Sequence, residues 1–185
     1  MNHIAFFVSS KPKKRYIYIG SGIPGSGKTT FLKKLAAEHR EGSAIVVSRD
    51  IFRDQLRTEM GVSSYFPVAG FKEDYLWQRA LEDIFAENYT HIYIDQTSIN
   101  TKAISRLLML ISHLLNPQDE IFIYRFWTPF EVCIKRNENR PLLKKVPDSA
   151  MLHFLRLFHE PLNIEALNKI HPISALIPVL GGYYE

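Results

Sequence analysis

Apolar residues along this 185-residue chain fall into two kinds of stretch that take turns. Short runs rich in Ile, Val, Tyr and Phe, at 16–19, 44–48, 91–95 and 120–126, read as strands. Between them apolar residues return at helical spacing, over 30–37, 50–59, 72–88, 101–115, 130–139 and 147–158. Over 101–115, for instance, Ile104, Leu107, Leu108, Ile111, Leu114 and Leu115 share one side. Pro147 suits the first turn of the last of these helices. Strands alternating with helices predict an α/β fold: a mostly parallel sheet of four to five strands with helices on both faces. Ligands of such sheets bind at the carboxyl ends of the strands. The residues just past each strand are therefore the ones to read for chemistry.

The rest of the pattern is less regular. Residues 61–70 form a loop with Ser63, Ser64, Pro67 and the aromatics Tyr65 and Phe66. With Phe71 these could stack on bases or pack beneath the loop. The chain divides into an extension (1–15), a main domain (16–168) and an apolar tail (169–185). Three uses are open to the tail: an edge strand, a cover for the core, or a joint between subunits.

Composition narrows the classes. Hydrophobic residues are 46% and charged residues 23%, as expected of an ordinary globular chain. No apolar run reaches membrane-spanning length. In the extension the positive charges Lys11, Lys13, Lys14 and Arg15 follow the apolar run, the reverse of a signal peptide, so a cytoplasmic protein is expected. A single cysteine, Cys133, excludes an internal disulfide and reads as a small buried hydrophobe. The net charge of +4 permits a polyanionic partner without demanding one.

Candidate chemistry starts after the first strand. Gly22-Ile23-Pro24-Gly25-Ser26-Gly27-Lys28-Thr29 fits G-x-x-x-x-G-K-[ST] at every fixed position. Gly22, Gly25 and Gly27 let backbone wrap a phosphate chain, with Ser26 between them and Thr30 opening the helix whose N-terminus favours anions. Lys28 would reach the β- and γ-phosphates of ATP, and the Thr29 hydroxyl would ligate Mg²⁺. Asp95 ends the third strand, where an acid assists that metal or simply makes a turn. Asp50, after the second strand, could accept a proton from an attacking hydroxyl, or merely cap its helix. Arg53 shares its face and could hold an anionic part of the acceptor. Arg136 and Arg140, at i and i+4, are expected to leave one helix side by side as a lid over the transferring phosphoryl group, or to form a solvated basic face.

These pieces resemble, in order, the kinase domain of the phage-type polynucleotide 5′-hydroxyl kinases. The resemblance runs through the phosphate loop and Ser48-Arg49-Asp50-Ile51-Phe52-Arg53. It continues in Asp95-Gln96-Thr97-Ser98-Ile99-Asn100, Ile134-Lys135-Arg136-Asn137-Glu138-Asn139-Arg140 and Val146-Pro147. It implies a P-loop NTPase fold with a helical lid, ATP and Mg²⁺ as cofactors, and nucleic acid 5′-OH ends as partner. By the same resemblance Asp50 is the general base, Arg53 contacts the acceptor phosphate, Thr97 contacts the acceptor strand, Arg140 touches the transferred phosphate and Arg136 supports the nucleotide. Members of the family often assemble, which makes a homo-oligomer a further expectation. The chain departs from the pattern at Ser48 and Ser98, where the family has Asn. A kinase with a metabolite, nucleotide-sugar or aminoacyl-tRNA acceptor is the main alternative, and a nucleotide-dependent binding module is the second.

Overall fold

The computed structural model of the protein describes residues 13–61 and 71–181. Five strands, β1 (Tyr16–Ser21), β2 (Ala44–Ser48), β3 (His91–Asp95), β4 (Glu120–Trp127) and β5 (Ile173–Leu180), form one sheet in the order β2-β3-β1-β4-β5. Every neighbouring pair is parallel. The helices are α1 (Lys28–Ala37), α2 (Arg49–Met60), α3 (Phe71–Ala86), α4 (Thr101–Ile111), α5 (Phe130–Glu138), α6 (Asp148–His159) and α7 (Ile164–Asn168).

Period-two alternation builds the sheet. Ile17 lies beside Ile92 and Ile121, and Ile19 beside Ile94 and Ile123. All six are fully buried against Trp77 and Leu81 of α3 and the Ile104, Leu107, Leu108 and Ile111 stripe of α4. Each such side chain contributes about 1.5–3 kcal/mol by leaving water. The other face is aromatic. Tyr18 stacks on Tyr93 at 4.4 Å and on Phe122 at 5.3 Å between ring centroids, and α1 packs over β1, β2 and β3. A second, smaller core holds the α5–α6 segment to the main body through Ile23, Ile99, Cys133, Val146, Met151 and Phe158.

Two buried arginines tie the sheet to its surroundings. Arg15, just before β1, is paired with Asp119, just before β4, at 2.7 Å. Arg125 of β4 donates to the carbonyls of Phe158 and Glu160 at the end of α6, beneath the Phe158 ring. Burial lowers its pKa from the usual guanidinium value.

The four predicted strands stand where the pattern puts them. Of the uses open to the tail, its residues 173–180 take the edge strand. The helix expected over 101–115 stops at Ile111 and tightens into a 3₁₀ turn, Ser112–Leu114. The helix expected over 130–139 ends at Glu138, so Arg140 lies past it. Pro141 disfavours helical backbone at the residue before it. The Asn137 side chain turns to the Val146 backbone, accepting its N–H at 3.0 Å and donating to its carbonyl at 2.8 Å. Helix α7 escaped the periodicity because it has five residues; Asn163 caps it. The 1–12 part of the extension and loop residues 62–70, with Tyr65 and Phe66, lie outside the described residues. No helix among the described residues is long and apolar enough to cross a membrane.

Candidate active site

The glycine loop leaves β1 and folds back on itself before α1. Gly25 and Gly27 have φ of +82° and +89°, a region side chains with a Cβ rarely adopt. A Cβ at Gly25 would also come within 2.6 Å of the Cys133 carbonyl oxygen. α5 thus presses on the loop directly and only glycine fits between them. Helix α1 begins at Lys28, so the first-turn N–H groups of Lys28, Thr29 and Thr30 have no intrahelical acceptor and suit an anion.

Inside this curl the Lys28 ammonium donates to the carbonyls of Gly22, at 2.8 Å, and Ile23, at 3.0 Å. It is 8% exposed. Burial depresses its pKa to about 8; the Arg140 charge acts in the same sense, while Asp95 and Asp50 oppose it. The Thr29 hydroxyl donates to Asp95 Oδ2 at 2.6 Å. A hydroxyl and a carboxylate side by side are hard oxygen donors, and they fit Mg²⁺ completed by phosphate oxygens and water. No cluster of three or more His, Cys, Asp or Glu among the described residues offers a dedicated metal cage.

A cleft of about 550 Å³ opens in front of this pair, lined among others by Lys28, Thr29, Asp50, Arg53, Asp95, Thr97 and Arg140. Every residue expected on the acceptor side borders it. Asp50 sits in the first turn of α2 with its carboxylate 64% exposed, and it accepts from Arg53 Nη1 at 2.8 Å. Arg53 is the partner that this carboxylate takes among the described residues, and Asp50 stands inside α2, one residue past its start, not at the cap position. Arg53 in turn donates from Nε to Glu73 of α3 at 3.1 Å.

Glu73 went unnoticed in the sequence. It is fully buried, receives Arg49 as well as Arg53, and its Oε2 has no hydrogen-bond partner among the described residues. Its link to α2 crosses a loop that carries no pattern. Ser98, one of the departures from the family, is fully buried and accepts from Gln96 Nε2 at 3.0 Å, so its hydroxyl faces protein.

The two arginines expected to leave one helix side by side instead border different cavities. Arg136 stays on α5 and donates to the Gly25 carbonyl at 3.3 Å. It borders a smaller cavity of about 360 Å³ with Ser26, Gly27, Thr30, Phe31 and Gly181. Arg140, past the helix end, borders the main cleft. The tail borders the small cavity through Val179 and Gly181, and beside it Thr128 donates to the Ser26 carbonyl at 2.9 Å, while a Cβ at Gly181 would collide with the Thr128 hydroxyl. Cys133 is buried, its thiol pushed up to about 11 by desolvation, as suits a packing residue.

A parallel five-stranded sheet with a glycine loop between β1 and α1 defines the P-loop NTPase fold. The chain belongs to the AAA domain family AAA_33, whose profile matches residues 18–161. No curated protein matches it. Among solved structures, it is similar to a chain of the Pnkp1/Rnl/Hen1 RNA repair complex, with 21% identity, a TM-score of 0.61, and 81% of this chain and 46% of that one covered. The chain thus spans less than half of that relative. A fungal RNA kinase aligns at 16% identity and TM-score 0.58 over 94% of this chain and 77% of that one. Shikimate kinase from Acinetobacter baumannii aligns at 17% and 0.51 over 91% and 86%. At these identities the likeness is one of fold, a P-loop domain.

Proposed function

We propose that the protein is a kinase that transfers the γ-phosphoryl group of ATP to the 5′-hydroxyl of DNA or RNA. The observation that carries this reading is the Asp50–Arg53 pair at the mouth of the cleft that also holds Lys28 and Thr29. Asp50 takes the proton of the attacking hydroxyl as its oxygen bonds to the γ-phosphorus. The bond from that phosphorus to the bridging oxygen breaks and ADP leaves. Lys28 and the first-turn N–H groups of α1 hold the phosphate oxygens, and Arg140 offsets charge on the moving group. Mg²⁺ would be held by Thr29 with Asp95 nearby, and would neutralise the phosphates. Arg53 holds the acceptor's phosphate, with Thr97 beside it, and Arg136 supports the nucleotide from the smaller cavity. The fold likeness to an RNA kinase and to an RNA repair complex supports this acceptor class.

The test is transfer of labelled γ-phosphate to short DNA and RNA oligonucleotides with open or blocked 5′ ends. Label is expected on open ends alone, and Asp50→Ala is expected to lower the rate about 10²–10⁴-fold while ATP still binds. ATP hydrolysis with no oligonucleotide labelled would move the assignment to a small-molecule acceptor, which the shikimate kinase fold also accommodates.

A further inference from the structure

A second groove, of about 780 Å³, opens between α3 and α4. It shares Arg53, Gln96, Thr97, Ala103 and Arg106 with the main cleft, so the two adjoin along these residues. Its volume falls in the range of about 300–1,000 Å³ usual for ligand sites. An acceptor of metabolite size would be satisfied in the main cleft and leave this groove without a task.

Three features of its lining point to a ligand. Arg49 and Arg53 are held by Glu73, Asp74 and Asp50, whereas Arg106 of α4 is exposed and has no carboxylate partner among the described residues. Tyr75 of α3, a residue 55% exposed, lines the same groove. Gln96 borders both cavities, and its Oε1 is buried without a hydrogen-bond partner among the described residues. A flat aromatic ring, a free guanidinium and an unspent amide oxygen are what a nucleotide unit can use: a face for stacking, a charge for phosphate and an acceptor for an amino group.

Resting on the kinase reading above, we infer that this groove is a binding site for the second nucleotide of the acceptor strand, with its base on Tyr75 and its phosphate on Arg106. The acceptor is then a chain with at least two nucleotides engaged, and affinity is set partly outside the reacting end. A solvated helix surface that merely happens to carry Tyr75 and Arg106 would give neither property.

The experiment compares a nucleoside 3′-phosphate, a trinucleotide and a hexanucleotide, all with free 5′-hydroxyls, as acceptors for the full chain. KM is expected to fall about tenfold from the first to the second and little thereafter. Tyr75→Ala should raise KM for the trinucleotide about tenfold at constant kcat, with less than a twofold change for the nucleoside 3′-phosphate. Arg106→Ala should flatten the salt dependence of hexanucleotide binding by about 0.7 in log–log slope. Equal KM for one and three nucleotides, or variants that shift both acceptors alike, would overturn the site. Anisotropy of a labelled hexanucleotide separates this from failure of the kinase reading. If nothing is phosphorylated yet the hexanucleotide binds and Tyr75→Ala weakens it, the groove stands without the kinase. Equal binding by wild type and Tyr75→Ala removes the groove whatever the chemistry.

Discussion

At the amino ends of β1 and β4, Arg15 meets Asp119 with both side chains buried, and every nitrogen of that guanidinium donates a hydrogen bond. It donates from Nε and Nη2 to Asp119 Oδ2, to the Phe85 carbonyl at 3.0 Å and to the Leu114 carbonyl at 2.6 Å, while Asp119 also accepts from the backbone N–H groups of Arg15 and Asn116. At the carboxyl ends of the same strands, Lys28 is buried to a similar degree but makes no ion pair among the described residues. Its direct partners are carbonyl and hydroxyl oxygens. Asp95, the acid whose charge acts most on it, accepts from Thr29. One end of the sheet therefore pairs its charge fully within the chain. The other holds a charge beside donors that a polyphosphate can use. The difference teaches where stability and function separate: a charge finished by the protein fastens the fold, and a charge left to dipoles alone costs stability and is available to a ligand.

The sharpest break of this contrast is Asp119→Ala. Removing one partner of a buried pair leaves the other uncompensated, so a loss of about 3–5 kcal/mol is expected. Urea denaturation measures it, and the folded fraction should transfer phosphate at the wild-type rate. Lys28→Met is the mirror experiment. Loss of a preorganised charge at the phosphoryl group should cost about 10²–10³ in kcat, or about 2.7–4 kcal/mol. Stability should hold or rise, because the variant no longer buries an ammonium whose pKa has fallen from 10.5 to about 8. A strongly destabilised Lys28→Met would show that the carbonyl contacts fasten the loop, and the contrast would fail.

The two ends were not equally legible in the sequence. The phosphate loop was plain, because a fixed spacing of Gly, Lys and Thr encodes a local geometry: two positive-φ glycines and a helix that starts at the lysine. Asp50 and Asp95 were singled out because strand ends can be read from the apolar pattern, and Thr97 through the family resemblance; all three border the cleft. Arg15 and Asp119 were passed over as chain and loop charges. Their pairing spans 104 residues and exists only once β1 and β4 are neighbours. Arg125 carried a signal that went unused, a charge inside an otherwise apolar strand run. Arg140 was misplaced because i, i+4 spacing implies a common face only while the helix continues, and Pro141 ends it. β5 was left among three uses because an edge strand carries half of the usual pattern. Ile173, Ala175, Ile177 and Val179 face inward while Leu176 and Leu180 stay exposed.

A pH series sharpens the comparison further. Lys28 is charged below about 8 and neutral above it. A bound polyphosphate favours the charged form, so ATP binding above about pH 8 must take up a proton. Affinity should then fall by up to about tenfold per pH unit between roughly 8 and 9.5, as read by calorimetry. Stability should move the other way. With the folded-state pKa depressed, the unfolded chain holds more protons between about 8 and 10.5, so this group's contribution to stability rises with pH in that window. Opposite trends in binding and stability over one pH range would mark Lys28 as their common cause. In Lys28→Met both trends should vanish.

The smallest effect is expected from charge that neither end buries. Lys144, in the short 3₁₀ turn (Leu142–Lys144) between α5 and α6, reaches Asp54 of α2 at 2.8 Å, with 47% and 37% of the two side chains exposed. Water screens such a pair, and ordering two long side chains offsets most of what the attraction returns. Lys144→Met should therefore lower stability by no more than about 1 kcal/mol, a shift that shrinks in 1 M salt. The pair nevertheless joins the α5–α6 segment to the helix that carries Asp50. If it holds that segment over the cleft, Lys144→Met will change KM for the acceptor while the urea midpoint barely moves. Should the midpoint fall as far as in Asp119→Ala, exposed charge would be fastening this fold as firmly as buried charge, and the distinction between the two ends would lose its physical basis.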